Sequence, residues 1–375
     1  MNKEINQIKR VGIDARLMYQ TGVGVYIQNL IRNIAKIGTS NIEFIIYARD
    51  EDIAKFRLQD TKLYKVSKIK FRSSNVSWHG LSEQIIFLYQ LWKDHLDLMH
   101  FTYFSWPILY FRPFIATIHD TTLLSHATGK ATTKARWWYW IKHSIFCFVF
   151  NQQVNRSLRI VVPSIAVKDE IAKIFPQSIK KIHVLYEAVD ELFQNALPLP
   201  VVQLEGKKYF LYVGNCYPHK NVETLIDAFT KVQSKEKDVN LCLVSPNNPF
   251  SNKLEEKLKQ SSISKSVSIL HNIPVSELKW LYTNAIALIF PSFAEGFGLP
   301  VLEGASCGCP LILSDIPVFH EIIGDNAIYF SPKDADKLSN IMLNCLSDLR
   351  LPKSLISHRK YSFFEMTKKI VEMYK

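Results

Sequence analysis

The sequence predicts an α/β protein of two Rossmann-like domains that face each other across a cleft. Three observations predict it. Strand-like and helix-like segments alternate almost throughout the 375 residues, the pattern of parallel sheets flanked by helices. The alternation lapses once, between 190 and 206, where Leu197-Pro198-Leu199-Pro200 stiffens the chain. It then restarts in the same form, and a chain of this length holds two domains of ordinary size.

In the first half, 10–15 reads as a strand, 25–37 as an amphipathic helix, 43–48 as a strand, 81–93 as a helix and 97–101 as a strand. The short apolar strand 114–119 stops at the polar pair His119-Asp120. A helix over about 133–155, a strand over 159–162, a helix opened by Ser164 and a strand over 181–185 follow. In the second half, 209–213, 239–244, 267–270, 285–290, 310–313 and 327–330 read as strands. Helices over 221–233, 252–260 and 275–284 lie between them, and helices from about 334 and 352 close the chain. The resulting division is a first domain over 1–190, a linker over 191–206, a second domain over 207–355 and a last helical segment over 356–375.

Composition narrows the function. Hydrophobic residues at 47% and charged residues at 21% fit a soluble globular chain and exclude a disordered one. A formal charge of +12 favours an anionic partner: a phosphorylated small molecule, an anionic membrane surface or nucleic acid. No nucleic-acid recognition motif is present, so nucleic acid is not expected. The first ten residues are polar and do not read as a signal peptide. No stretch approaches the roughly 20 apolar residues that cross a bilayer. Six scattered cysteines, of which only Cys307 and Cys309 are close, form no zinc pattern and read as reduced thiols. A cytoplasmic protein is expected.

The densest chemical signal runs from Phe290 to Glu303. An apolar strand ends, a loop with Gly296 and Gly298 follows, and Pro300 stands where a helix begins. The glycines let the backbone approach a ligand, and the unpaired N–H groups of the helix start suit phosphate. Glu295 precedes that seat and Glu303 follows it. Carboxylates beside a phosphate are unfavourable unless they bind something else, and sugar hydroxyls are suitable donors. A capping motif with a solvated Glu explains the same residues without a ligand.

Two Glu separated by seven residues in Glu295-Gly-Phe-Gly-Leu-Pro-Val-Leu-Glu303 resemble the signature of the retaining family 4 glycosyltransferases. Gly304 to Pro310 and Ser314-Asp-Ile-Pro317 are similar to the run that follows it. Gly12 to Arg16 with Thr21-Gly-Val-Gly24, Ile118-His-Asp120, Val162-Pro-Ser164 and Val213 to Asn221 fall in the family's order. Tyr361-Ser-Phe-Phe364 resembles the segment that crosses back onto the first domain. The resemblance implies the GT-B arrangement: an acceptor-side first domain and a nucleotide-sugar-binding second domain.

It also implies roles. His119, Lys220 and Glu295 are the expected catalytic set: a donor-sugar contact, a diphosphate cation and a ligand of sugar hydroxyls. Gly22, Gly24, Asn215, Ile273, Gly296, Phe297, Gly298, Leu299 and Glu303 are expected around the donor, with Ile273 at the base and Glu303 at the ribose. The family often has Arg where this chain has Asn215, which supplies hydrogen bonds only. Asp120 is expected to orient His119 or to bind the acceptor. Gly22 and Gly24 read as a loop between the first strand and the first helix. Ile27 stands where a dinucleotide fingerprint needs its third glycine.

No cofactor is expected beyond the nucleotide sugar, and no metal. Asp50-Glu-Asp52 reads as a charged loop and Asp334-Ala-Asp336 as a helix start. The Val213-Gly-Asn and Ile118-His-Asp forms point toward GDP-mannose or a similar donor, with a cell-surface glycan or lipid-linked acceptor. Lys134 to Lys142 mixes cations with four aromatics, which suits either a core helix or a membrane interface. Lys62, Lys65, Lys68, Lys70 and Arg72 form a second basic stretch, read as solvated. Peripheral binding to the inner face of an anionic membrane is therefore an expectation. The competing readings are a non-catalytic sugar-nucleotide-binding protein and a dinucleotide-dependent oxidoreductase.

Overall fold

The alternation resolves into two separate parallel sheets in a computed structural model that describes residues 8–39, 41–60, 68–125, 136–347 and 361–375. The first sheet contains β1 (Lys9–Asp14), β2 (Ile42–Ala48), β3 (Ile69–Ser73), β4 (Leu98–Phe101), β5 (Phe114–Thr117), β6 (Arg159–Val162) and β7 (Ile182–Val184). Its order is β3-β2-β1-β4-β5-β6-β7. The second contains β8 (Lys208–Val213), β9 (Val239–Val244), β10 (Val267–Leu270), β11 (Leu288–Phe290), β12 (Leu311–Ser314) and β13 (Ile328–Phe330), in the order β10-β9-β8-β11-β12-β13. Every strand pair is parallel. Helices cover both faces of such sheets, so central strands are continuous apolar runs. Tyr209 to Val213 is buried at every position.

In each unit the chain builds outward on one side of its first strand and then returns to the other. The order therefore reverses between β1 and β4, and between β8 and β11. The crevice beyond the carboxyl ends of the strands at such a reversal is where open α/β sheets bind ligands.

The first unit draws its described residues from Met1–Leu124, Lys134–Glu187 and Ser362–Lys375, and the second from Ser125–Thr133 and Ala188–Tyr361. The last helix, Phe363–Tyr374, packs on the helix Thr21–Ile37 of the first unit. Its final tyrosine enters a buried polar chain. Tyr374 Oη meets His100 Nδ1 at 2.5 Å, His100 Nε2 meets Thr117 Oγ1 at 2.8 Å, and Thr117 Oγ1 meets the Tyr26 hydroxyl at 2.9 Å. Burial pushes the His100 imidazole down to about 3, so the ring is neutral and the chain is uncharged.

Several local expectations change. Gly22 and Gly24 do not lie on a loop: the helix begins at Thr21, and Gly24 N–H donates to Gln20 O at 2.8 Å to close its first turn. A Cβ on Gly24 would sit 2.8 Å from the Met18 carbonyl oxygen, so the position is small because the preceding loop packs onto it. Asp50 to Asp52 are not a loop either. They fill the first turn of the helix Asp50–Gln59, where acids oppose the positive end of the dipole.

Residues 191–206 belong to the second unit: Phe193 packs its ring on Tyr282 and Leu199 N–H donates to Ser276 O at 3.1 Å. The helix over 81–93 contains a π-turn, Glu83–Phe87, before Leu88–Lys93. In the second basic stretch, Lys70 and Arg72 are paired, with Glu43 and Asp94. Lys62, Lys65, Lys134 and the proposed helix from Pro352 lie outside the described residues. Among the described residues no helix is long and apolar enough to cross a membrane.

Candidate functional site

At the reversal in the second unit, β8 ends at Val213 and leads through Gly214, Asn215 and Cys216 into a 3-10 turn, Pro218–Lys220. Three contacts hold this loop against the loop after β11. Phe293 N–H donates to His219 O at 2.8 Å. Asn221, in the left-handed region at φ 56°, donates from Nδ2 to Pro291 O at 2.9 Å and to Pro332 O at 2.6 Å. The third contact is chemical: Lys220 Nζ donates to both carboxylate oxygens of Glu295, each at 2.7 Å. Ser292 Oγ donates to the same carboxylate at 2.7 Å. The side chains of Lys220 and Glu295 are 16% and 8% exposed, so little water screens the pair. The expectation placed these two groups on separate parts of a donor. The structure brings them together.

Gly298 caps the helix Leu299–Ser306. Its φ of +98° is a conformation that a side chain disfavours, and a Cβ there would meet Phe319 at 3.0 Å. No side chain caps this helix; Pro300 has no N–H and Val301 N–H donates to Gly298 O at 2.9 Å, so the Leu299 N–H and the dipole are what its first turn offers an anion. Phe297 and Leu299 are buried, so their side chains are packed away from a ligand. Phe297 packs edge-on against Tyr361.

Glu303 lies one turn into the helix and accepts a hydrogen bond from the Tyr282 hydroxyl at 3.0 Å. Burial, with the negative charge of Asp190 adding to it, pushes the Glu303 carboxyl up to about 7, and the Tyr282 bond opposes this. Asn215 is half-buried, and its carbonyl accepts from the Tyr212 hydroxyl at 2.6 Å. Ile273 follows Asn272, which has φ +51°, just before the helix Val275–Asn284.

At the reversal in the first unit, His119 follows β5. Its Nε2 lies 3.0 Å from Thr102 O, and its Nδ1 lies 3.1 Å from Glu187 Oε1. A carbonyl only accepts, so Nε2 is the donor to Thr102 O, and Nδ1 pairs with the Glu187 carboxylate. Tyr26 packs edge-on against the ring at 4.9 Å. The expectation that Asp120 orients His119 is corrected. Asp120 Oδ1 accepts from Thr122 N–H at 2.9 Å and caps the following turn, and Glu187 holds the ring instead.

A second charged group lies at the end of β1. Arg16 donates to Asp14 Oδ1 and Oδ2 at 2.9 and 2.7 Å and to Glu83 Oε1 at 2.7 Å, over the face of Phe87. Sequence reading missed Glu187, Ser292, Asn221 and this Arg16 cluster. Arg16, Asn221 and Ser292 lie inside runs that the sequence singles out, without a role of their own, and Glu187 carried no signal.

Among the described residues no three His, Cys, Asp or Glu side chains converge as a metal site would require. All six cysteines are free thiols, and burial pushes Cys242 and Cys309 up to about 12, which leaves both unreactive.

Comparison with known proteins gives a family match over each unit. The family described as Glycosyltransferase Family 4 matches residues 20–191, and Glycosyl transferases group 1 matches residues 200–360. The O-antigen chain mannosyltransferase RfbU of Salmonella typhimurium is 32% identical over 231 residues, 61% of this chain and 63% of that protein. The O-antigen chain mannosyltransferase B of Escherichia coli is 28% identical over 186 residues, 47% of this chain and 49% of that protein. The chain thus spans less than two thirds of the length of these relatives. Sucrose-phosphate synthase from Thermosynechococcus elongatus shares the fold, with a TM-score of 0.74 over 98% of each chain at 15% identity. The two family matches cover both units and the loops that carry Lys220, Glu295 and His119, and the chain belongs to the family 4 glycosyltransferases.

Proposed function

We propose that this protein is a retaining glycosyltransferase that moves a hexose, mannose from GDP-mannose, onto a cell-surface glycan or lipid-linked acceptor. The observation that carries the reading is the Lys220–Glu295 pair beside the uncapped helix at Gly298. One cation, one carboxylate and a helix start without a side-chain cap, at a strand-order reversal, match the parts of a nucleotide sugar. The relatives named as mannosyltransferases of O-antigen chains support the choice of sugar and acceptor.

In this reading the diphosphate seats on the backbone of Gly296 to Leu299 and draws Lys220 Nζ away from Glu295. The ammonium then stabilises the charge that grows on the leaving diphosphate as the glycosidic bond breaks. Glu295, released from the cation, accepts hydrogen bonds from the sugar hydroxyls. Glu303 accepts from the ribose, Ile273 meets the base through its backbone, and Asn215 adds hydrogen bonds. In the first unit, His119 is proposed to donate to a sugar hydroxyl by exchanging its Thr102 carbonyl partner for it, while Glu187 holds Nδ1. The transition state has oxocarbenium character. The acceptor attacks on the face that the leaving phosphate vacates, and that phosphate takes the acceptor proton, so the configuration is retained. Lys220 and the backbone N–H groups supply the positive charge without a metal ion. The charge of +12 supports a working place at the inner, anionic surface of a membrane.

Thermal-shift measurement against a panel of nucleotide sugars tests the reading. A true donor at 100 times its dissociation constant stabilises the fold by about 2.7 kcal/mol. GDP-mannose is expected to give the largest shift. A panel without any shift contradicts the donor site, and a larger shift with another nucleotide sugar moves the assignment to that donor.

A further inference from the structure

We propose that the solvent-facing side of the helix over 81–93, with the loop over 106–112 and the helix Arg136–Arg156 beside it, is the face that docks on an anionic bilayer surface. This inference rests on the membrane part of the reading above and is independent of the transfer chemistry.

The helix over 81–93 is apolar on two opposite sides. Glu83, Phe87 and Leu91 turn inward and are buried. Two residues out of step with them, Leu81, Ile85 and Tyr89 turn outward with Trp92, and all four are exposed, Leu81 by 82%. A two-residue offset is about 200° of helix, so the outer row lies opposite the core row. Helices that are apolar all round are normally buried on all sides. Among the described residues nothing covers the outer side of this one.

The apolar surface continues on both neighbours. Gln84 donates from Nε2 to Trp106 O at 3.1 Å, and its Oε1 accepts from Ile108 N–H at 2.8 Å, which fixes the loop over 106–112 beside the helix. That loop exposes Leu109 and Phe111. On its other side, Trp106 Nε1 donates to Val149 O at 3.3 Å and Arg156 donates to Ile108 O at 2.5 Å. The helix that carries Val149 exposes Ile141, Ile145 and Phe148, at i, i+4 and i+7. Apolar patches of this extent mark interaction surfaces.

Charge selects the occupant. The stretches 81–93, 106–112 and 140–156 contain one carboxylate, Glu83, and it is buried against Arg16. The other formal charges in them, Lys93, Arg112, Lys142 and Arg156, are all positive. A second copy related by a two-fold axis would set these cations against one another. An anionic lipid surface instead neutralises them while Trp92, Tyr89 and the aliphatic side chains enter the interface.

Sedimentation of the full chain with phosphatidylglycerol-containing and pure phosphatidylcholine vesicles, at low and high salt, tests the proposal. The chain is expected to bind the anionic vesicles at low salt and to leave them at high salt. Leu81→Gln/Ile85→Gln/Tyr89→Ser is expected to weaken binding at least about tenfold, the equivalent of roughly 1.4 kcal/mol. These positions face solvent, so the thermal midpoint should hold. If the triple variant melts early, Leu81→Gln alone is expected to weaken binding several-fold. Lys93→Glu/Lys142→Glu is expected to abolish the preference for anionic vesicles.

Equal binding by the chain and by a folded triple variant overturns this face and leaves the membrane reading standing. Failure of the unaltered chain to bind either vesicle at low salt overturns both. Self-association that the triple variant removes, without vesicle binding, makes the face a contact between copies and overturns the lipid assignment.

Discussion

Lys220 and Glu295 hold each other through two hydrogen bonds of 2.7 Å, although they are 75 residues apart in sequence. Each charge is compensated by the other, and Ser292 fixes the carboxylate from a third direction. A diphosphate that takes Lys220 must displace this carboxylate. Glu295→Gln is therefore expected to tighten binding of the nucleoside diphosphate while it lowers turnover, because the competing negative charge is gone and the sugar loses its acceptor. Titration calorimetry with GDP and a turnover assay on the same variant check the split. Weaker GDP binding in Glu295→Gln would mean that the pair does not compete with phosphate.

Glu303 gives a pH signature. An unfolded Glu titrates near 4.3, whereas in the folded chain the carboxyl is pushed up to about 7. Between these values the folded state keeps a proton that the unfolded state has lost, so stability falls as pH rises from about 4.5 through 7. Glu303→Gln removes this group and can still accept from Tyr282. It is expected to match the unaltered chain near pH 4.5 and to exceed it at pH 8 by on the order of 2–3 kcal/mol. Urea denaturation across that range reads the difference. A gap that stays constant with pH contradicts the assignment.

His119 is set between the Thr102 carbonyl and Glu187. Glu187→Gln keeps a hydrogen-bond partner for Nδ1 and removes the negative charge, whereas Glu187→Leu removes both. Turnover is expected to fall roughly tenfold in the first and at least 10²-fold in the second, as a positioned group loses its charge and then its orientation. The thermal midpoint should fall only in the second. Equal and near-normal turnover in both would make the contact purely structural.

Positive charge at the phosphate seat comes from Lys220 and backbone N–H groups in the proposed mechanism. Transfer is therefore expected to persist in excess EDTA. Loss of activity with chelator and its return with Mg²⁺ or Mn²⁺ would revive Asp50 and Asp52 or Asp334 and Asp336 as ligands.

The parallel architecture was legible because buried central strands are written as apolar runs: Tyr209 to Val213 needs no partner to be recognised. The loop from Pro291 to Gly298 was legible because two glycines and Pro300 punctuate it locally. What the sequence hid is long-range pairing. Nothing near Tyr186-Glu187-Ala188 announces that Glu187 meets a histidine 68 residues earlier. Asp120, adjacent in sequence, was the natural guess, but a strand end turns neighbouring side chains apart and leaves Asp120 to cap a turn. The helix start at Thr21 was obscured because glycine reads as a loop residue, whereas Gly24 is small to admit the Met18 carbonyl. The outer face of the helix over 81–93 escaped notice because an apolar helix reads as core on every side.

The most direct test of the transferase reading is release of nucleoside diphosphate and transfer of label from GDP-mannose by the unaltered chain, Lys220→Ala and Glu295→Ala, with a lipid-linked glycan acceptor. Transfer by the unaltered chain and a fall of at least roughly 10²-fold in each variant is the predicted result. Near-normal rates in both variants would contradict it and move the chemistry away from the Lys220–Glu295 pair.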